Sequence, residues 1–237
     1  VEHFRVGEIS VEVVLKDIKN VHLSVYPPNG KVKIAAPRRM KMDTIRVYAI
    51  SKLDWIKKQQ KKFKAQAREA KREYLTKESH YFLGKRYLLK ITEHDAPPEI
   101  LLKTNTIEMY LRPNTPLDKR QKLMEEWYRA KLLEIASPML KKWSKKMKLD
   151  PDELVVRKMK TKWGTCNPKL KRISLNLELA KKPQHCIEYI LVHEMVHLLE
   201  RNHTSKFTTY MNHFLPEWKE LRRELNKLPV GHREWGY

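Results

Sequence analysis

One stretch, LVHEMVHLLERNH from Leu191 to His203, limits the possible folds of this chain more than any other. Wound into an α-helix, Ile187, Ile190, Leu191, Val192, Met195, Val196, Leu198 and Leu199 spread round nearly the whole circumference. A helix that is apolar on every side is an interior helix. Yet the same turns carry His193, Glu194 and His197. Burying polar groups without partners costs about 1–3 kcal/mol each, so the fold must supply something at that spot to compensate them.

At about 100° per residue, His193 and His197 stand about 40° apart and one turn along the helix. Both rings can therefore reach one point beside it, while Glu194 leaves on another side but stays close enough to touch a water held at that point. This is the HExxH arrangement of two zinc ligands and a general base, and another divalent transition metal would suit the same donors. Catalytic zinc usually takes three protein ligands and keeps one position open. His203 supplies a third, giving HExxHxxxxxH, if the chain turns back soon after Glu200. The stretch ERNHTS permits that turn: Asn202 tolerates a left-handed cap, and Thr204 or Ser205 can start the next helix. Metzincin proteases share the histidine spacing but carry Gly where Glu200 stands, so this chain must turn without it. His213, Glu217 and Glu220 are the alternative third ligands. The remaining histidines, including His185 and His232, read as surface or cap residues.

The rest of the chain decides what can house such a helix. Its 237 residues make one large domain or two modest ones, and 41% hydrophobic residues argue against disorder. No run of about 18 uncharged apolar residues is present, which excludes a membrane-spanning helix. The start, VEHFRVGEISVEVVL, alternates polar and apolar residues and lacks the basic-then-apolar layout of a signal peptide. Cys166 and Cys186 form no CxxC pair; this argues against a disulfide scaffold or a four-cysteine zinc site and suits a reducing cytoplasm. The formal net charge of +22 concentrates polyanions near the surface and favours nucleic acid or another acidic partner. Solvated lysine faces and charged networks would account for the same composition.

Along the chain, ISVEVVLKD, NVHLSVYP and GKVKIAAP read as strands separated by Asn20 and the turn PPNG at 27–30. One long helix is predicted from an N-cap at Asp43 to about Tyr74, its apolar face thinning after Ile56. Strand signals return in KRYLLKIT, EILLKT and TIEMYLR, and RPNTPLD at 112–118 marks a boundary with a cap at Asp118. A helix from Lys119 to about Lys148 follows, with a kink or break at Ser137–Pro138. ELVVRKMK and RISLNLEL then read as short strands flanking a loop, TKWGTCNPKLK. The HExxH helix starts after Pro183, and helices near 205–214 and 216–227 close the chain, Pro216 taking a first helical position. No internal repeat is visible. The expected class is α+β: a strand-rich N-terminal region with a long helix at 1–112, then a small zincin-like metallopeptidase part at 113–237.

Taken together, KWGTC at 162–166, Asn176 in ISLNLEL, Pro183, EYILVHEMVHLLERNHTSKF and Pro216 resemble the YgjP-like metallopeptidases, relatives of the SprT-type zinc proteins. The likeness is strongest over 155–220, and KVKIAAP and LDWIKKQQKKF extend it over most of the chain. Thr165 stands where that family more often has Ser. The resemblance implies zinc held by His193, His197 and His203, Glu194 as catalytic carboxylate, and a WGTC loop packed beside the HExxH helix. On residue chemistry, Trp163 reads as core or cleft wall, Gly164 as a tight turn, and Cys166 as buried structure rather than a ligand.

The function expected is that of a zinc-dependent peptidase acting on a protein or peptide substrate, Glu194 serving as base towards the water and then as acid towards the leaving amine. Tyr210 and His213 are candidate oxyanion donors, and Asn176 and Lys162 candidate substrate contacts. Two rivals share the residues: a nucleic-acid-binding protein with a structural metal site, and a hydrolase of non-peptide amides. A fourth protein ligand closing the shell would favour the former.

Overall fold

The computed structural model describes residues 1–26, 29–65, 72–160 and 162–229. Contacts divide the chain into two compact units, one within Val1–Glu69 and the other within Ala70–Gly231. The boundary expected at 112–113 lies inside the second unit. There the apolar core runs without interruption from Leu89, Ile107, Met109 and Leu111 to Met124, Trp127 and Leu132.

The first unit opens with four strands, β1 (Glu2–Val6), β2 (Ile9–Lys16), β3 (His22–Tyr26) and β4 (Lys31–Pro37). They form one sheet in the order β1-β2-β4-β3, with β2 and β4 parallel and the other pairs antiparallel. Alternation decides which face is buried. Val11 and Val13 pair with Val32 and Ile34, and all four are buried with Ala36, Ile45, Ala49 and Ile56. Glu12, between the two valines, turns the other way and meets Lys31 and Lys33 at 2.8 and 2.7 Å. Instead of one long helix, this unit has α1 (Met42–Ser51) and α2 (Leu53–Ala65). They separate at Lys52, whose backbone (φ −105°, ψ 7°) closes a tight turn onto Ala49. Lys41 occupies the cap position, and Asp43 lies in the first turn. Residues 72–75 are not helical, and the intervening 66–71 lie outside the described residues, as do Pro27 and Pro28 of the expected turn.

The second unit repeats the first unit's sheet. Strands β5 (Ser79–Phe82), β6 (Lys85–Glu93), β7 (Glu99–Leu102) and β8 (Thr106–Leu111) run in the order β5-β6-β8-β7. Again only the middle pair is parallel, and a helix follows the fourth strand. The fold therefore contains a topological repeat where none was expected from the sequence. The helix is α3 (Leu117–Met147), and it continues through Pro138 without a break. Leu132, Ala136, Trp143 and Met147 keep helical phase on both sides of the proline and are all buried, and the Ser137 hydroxyl donates to Leu133 O at 2.7 Å. Continuous burial outweighs the one backbone hydrogen bond lost at proline. Pro116 takes the cap position, with Asp118 in the first turn.

A three-stranded sheet comes next: β9 (Glu153–Arg157), β10 (Gly164–Asn167) and β11 (Arg172–Asn176), in the order β10-β11-β9. The expected loop thus contains a strand, and β10 lies at the sheet's edge. A 3-10 turn (Leu177–Lys181) leads into α4 (Gln184–Val196), and α5 (Ser205–Phe214) and α6 (Trp218–Lys227) follow. Pro216 sits in the turn before α6 rather than in its first position. The β5–β6 turn docks on the 3-10 turn, Leu83 and Gly84 N–H donating to Ala180 and Lys181 carbonyls at 2.9 and 3.1 Å. Trp143 on α3 donates its indole N–H to Glu188 on α4 at 2.8 Å. These attachments hold α4 inside the core. Among the described residues no helix is long and apolar enough to cross a membrane.

Candidate metal centre

α4 is the interior helix that its sequence demands: Cys186, Ile187, Tyr189, Ile190, Leu191, Val192, Met195 and Val196 are all buried. His193 and Glu194 project from its last turns, and His197 ends it. The chain then closes tightly, with Leu198, Leu199 and Glu200 N–H donating back to Met195 and Val196 carbonyls. Asn202 is not among the residues with positive φ. Its N–H instead donates to the Glu200 carboxylate at 3.2 Å, and Thr204 caps α5 by accepting from Phe207 N–H. Glu200 therefore shapes the turn that metzincins make with glycine.

That turn brings His203 back. Its Nε2 lies 3.1 Å from His193 Nε2. One ligand atom from each of His193, His197 and His203 lies within 4.8 Å of the others. Zn–N bonds of about 2.0–2.1 Å at tetrahedral angles place ligand nitrogens about 3.3–3.4 Å apart, so the spacing suits a shared cation. Burial and the neighbouring imidazoles lower the His193 pKa to about 3, and burial lowers that of His203 as well. Both rings are thus neutral, the form that binds metal. His197 Nδ1–H donates to Glu200 O at 3.1 Å, which leaves its Nε2 lone pair available to a metal. Phe207 of α5 packs against all three rings, with centroids 5.0, 4.7 and 4.6 Å from His193, His197 and His203. Sequence reading gave Phe207 no part; the apolar position three residues after the Thr204 cap was the available signal. The residues present fit a divalent metal of zinc type.

Glu194 is 5% exposed, and burial raises its pKa to about 8 against the opposing field of Lys162. It leans on β10, where Gly164 has no side chain to obstruct it. Gly164 is not a positive-φ residue, so the glycine serves close approach rather than a tight turn. Asn176, which was expected as a substrate contact, is buried and occupied with backbone. Its Nδ2 donates to Met159 O at 3.0 Å and Lys162 O at 2.7 Å, and its Oδ1 accepts from Met159 and Glu178 N–H, each at 3.3 Å. Asn176 N–H also donates to Trp163 O at 2.8 Å.

The other candidates lie as follows. Lys162 is exposed, and its field reaches Glu194. Tyr210 stacks on Phe214 at 6.3 Å, and His213 is exposed with its ring edge-on to Phe214 at 4.9 Å. Neither His213, Glu217 nor Glu220 joins the three imidazoles among the described residues. Cys166 does not join them either; burial, then the charge of Glu194, push its thiol up to about 11. Trp163 packs against the core with Lys182 Nζ 5.9 Å from its ring. His185 is exposed and pairs with Glu224 at 2.8 Å, while His232 lies outside the described residues.

Two solved structures similar to this chain are metallopeptidase zymogens. Abylysin of Pyrococcus abyssi is 22% identical, with 41% of this chain and 98% of that chain covered and a TM-score of 0.36. Jannalysin of Methanocaldococcus jannaschii is 19% identical, with 38% and 91% covered and a TM-score of 0.34. No curated protein matched. The model of the YgjP-like metallopeptidase domain matches residues 19–228. With that span covering most of its length, the chain belongs to the YgjP-like metallopeptidase family.

Proposed function

We propose that this chain is a zinc-dependent peptidase, with His193, His197 and His203 as metal ligands and Glu194 as general base. The observation that carries the reading is the convergence of three imidazoles beside a buried carboxylate on one interior helix. An all-imidazole donor set favours zinc among the common divalent ions. When bound, such an ion would supply an activated water, a polarised carbonyl and a positive field that favours ionised Glu194. Glu194 takes the proton of the attacking water and delivers it to the leaving amine. Its burial excludes competing solvent from that transfer. Three ligands without a fourth protein donor among the described residues leave room for substrate chemistry, which a closed structural site does not.

The edge strand β10 gives a peptide its place. Among the described residues it pairs on one side only, with β11, and its first residue leaves no room for a side chain beside Glu194. An extended peptide adding to the free edge would run past the carboxylate. Glu194→Gln tests the assignment: zinc content stays at that of the unaltered chain while cleavage of a peptide library falls by about 10²-fold or more. Loss of zinc with that substitution would contradict it. Two free cysteines fit a cytoplasmic setting.

A second reading concerns α2, which carries five lysines and one aspartate. All five lysines are exposed and have no ion-pair partner among the described residues, and Trp55 on the same helix is 43% exposed. Cations around an exposed ring favour single-stranded nucleic acid, phosphates meeting lysine and a base stacking on tryptophan. Binding of a labelled oligothymidylate should be salt-sensitive and weakened by Trp55→Ala and by Lys58→Glu/Lys62→Glu; unchanged affinity would reject this surface.

A further inference from the structure

We infer that Gly164 is a positioning residue for Glu194: the side chain it lacks is the space in which the carboxylate rests. A Cβ built on Gly164 would lie 2.7 Å from Glu194 Cγ, 2.8 Å from Oε1 and 3.0 Å from Cδ. Its three nearest neighbours therefore belong to one side chain, and none belongs to an imidazole. At Gly84, by contrast, the φ of +80° alone would disfavour any side chain, and the nearest neighbour is Pro183. At Gly164 the constraint is purely one of space.

What yields when that space is filled follows from what is fastened. Gly164 pairs with Leu175 in the β10–β11 ladder, and Leu175 is fully buried. The residue before it is held through Trp163 O by Asn176 N–H at 2.8 Å, and Lys162 O by the Asn176 side chain at 2.7 Å. The backbone is thus pinned at the glycine and at the two residues before it. Glu194 is fastened less: among the described residues its carboxylate has no hydrogen-bond partner. An alanine at 164 should therefore turn the Glu194 side chain away from the strand. The three histidines should keep their places, since the methyl group's three nearest neighbours all belong to Glu194. The glycine of the WGTC stretch thereby sets where the base stands relative to a peptide on the β10 edge.

The functional half of this inference rests on Glu194 being the base; the packing half does not. The test uses the whole 237-residue chain, zinc-equilibrated, in four forms: unaltered, Gly164→Ala, Glu194→Ala and both together. With Glu194 present, Gly164→Ala should lower Tm by about 2–10 °C, as overpacking does. In the Glu194→Ala background the same substitution should change Tm by less than about 1 °C. An equal fall in both backgrounds would mean that Gly164 serves the backbone alone and would overturn the inference. On a peptide that the unaltered chain cleaves, Gly164→Ala should reduce kcat about 10–100-fold while KM and zinc content stay within about twofold. Unchanged kcat, or loss of zinc, would also overturn it. If even the unaltered chain cleaves no peptide, the peptidase reading fails, and the melting cycle still decides the packing.

Discussion

Replacing Asn176 by alanine tests whether one buried amide holds the loop that leads into the edge strand. The side chain is 5% exposed and makes four hydrogen bonds, none to another side chain. The donations to Lys162 O at 2.7 Å and Met159 O at 3.0 Å are of good length. The two acceptances at 3.3 Å are weaker. At about 1 kcal/mol net for each good bond and a fraction for each long one, with part of the freed backbone reaching water, the loss is about 2–4 kcal/mol. In urea unfolding this is a fall in midpoint of about 1–2 M with unchanged slope. Asn176→Asp separates the donors from the acceptors. It keeps the Oδ1 contacts, loses both donations and sets a carboxylate against two carbonyls, so it should be at least as destabilising at pH 7. Acidification should partly relieve it by restoring a donor proton. Zinc affinity should hold in both variants, because neither touches an imidazole. A midpoint for Asn176→Ala within about 0.3 M of the parent would show that Met159 and Lys162 are fixed by something else.

Two further expectations concern the imidazoles and the first unit. His203→Ala should weaken zinc binding by about 100-fold or more in chelator competition, beyond the effect of losing an outer-shell partner, whereas His213→Ala should leave it unchanged. In the first unit, hydrogen bonds from Lys31 and then Lys33 hold the Glu12 carboxyl at about 2, below its ordinary 4.5. A depressed folded-state pKa gives stability that is complete above 4.5 and lost as pH falls towards 2, because the unfolded chain takes up the proton first. Glu12→Gln should flatten that acid limb in melts between pH 2 and 6; an unaltered limb would show that the pair contributes nothing.

How far the sequence exposes this fold depends on the range of the interactions concerned. Alternation in ISVEVVLKD and GKVKIAAP is a local signal, and β2 and β4 follow from it because one face of that sheet is buried. The start of α4 after Pro183 is equally local. Strand β10 is not. Four residues of GTCN carry no apolar period, and they become a strand only through pairing with β11. Pro138 errs in the opposite direction, a strong local signal overridden by the buried stripe from Leu132 to Met147. The repeated strand order of the two four-stranded sheets leaves only a short trace in residue identity, an apolar residue followed by a positive-φ glycine in each first hairpin, Val6–Gly7 and Leu83–Gly84.

The site divides along the same line. Helical spacing alone aligns His193 with His197, and the turn residues between Glu200 and Thr204 allow His203 to return. The surrounding residues are harder to read because their work is done by backbone or by absence. Asn176 reads as a polar group near chemistry, hence a substrate contact, yet every bond its side chain makes is to main chain. Gly164 reads as a turn, yet what matters is the volume it leaves for Glu194. Glu200 reads as a missing glycine, yet its carboxylate and carbonyl tie the turn to Asn202 and His197. A common physical reason links the three. An interior helix cannot supply partners to its own polar groups from apolar neighbours, so neighbouring segments must bring backbone groups or open space to meet them. The side chains that organise those segments acquire their role from the fold, and a one-dimensional pattern therefore shows the imidazoles and the carboxylate more clearly than what holds them.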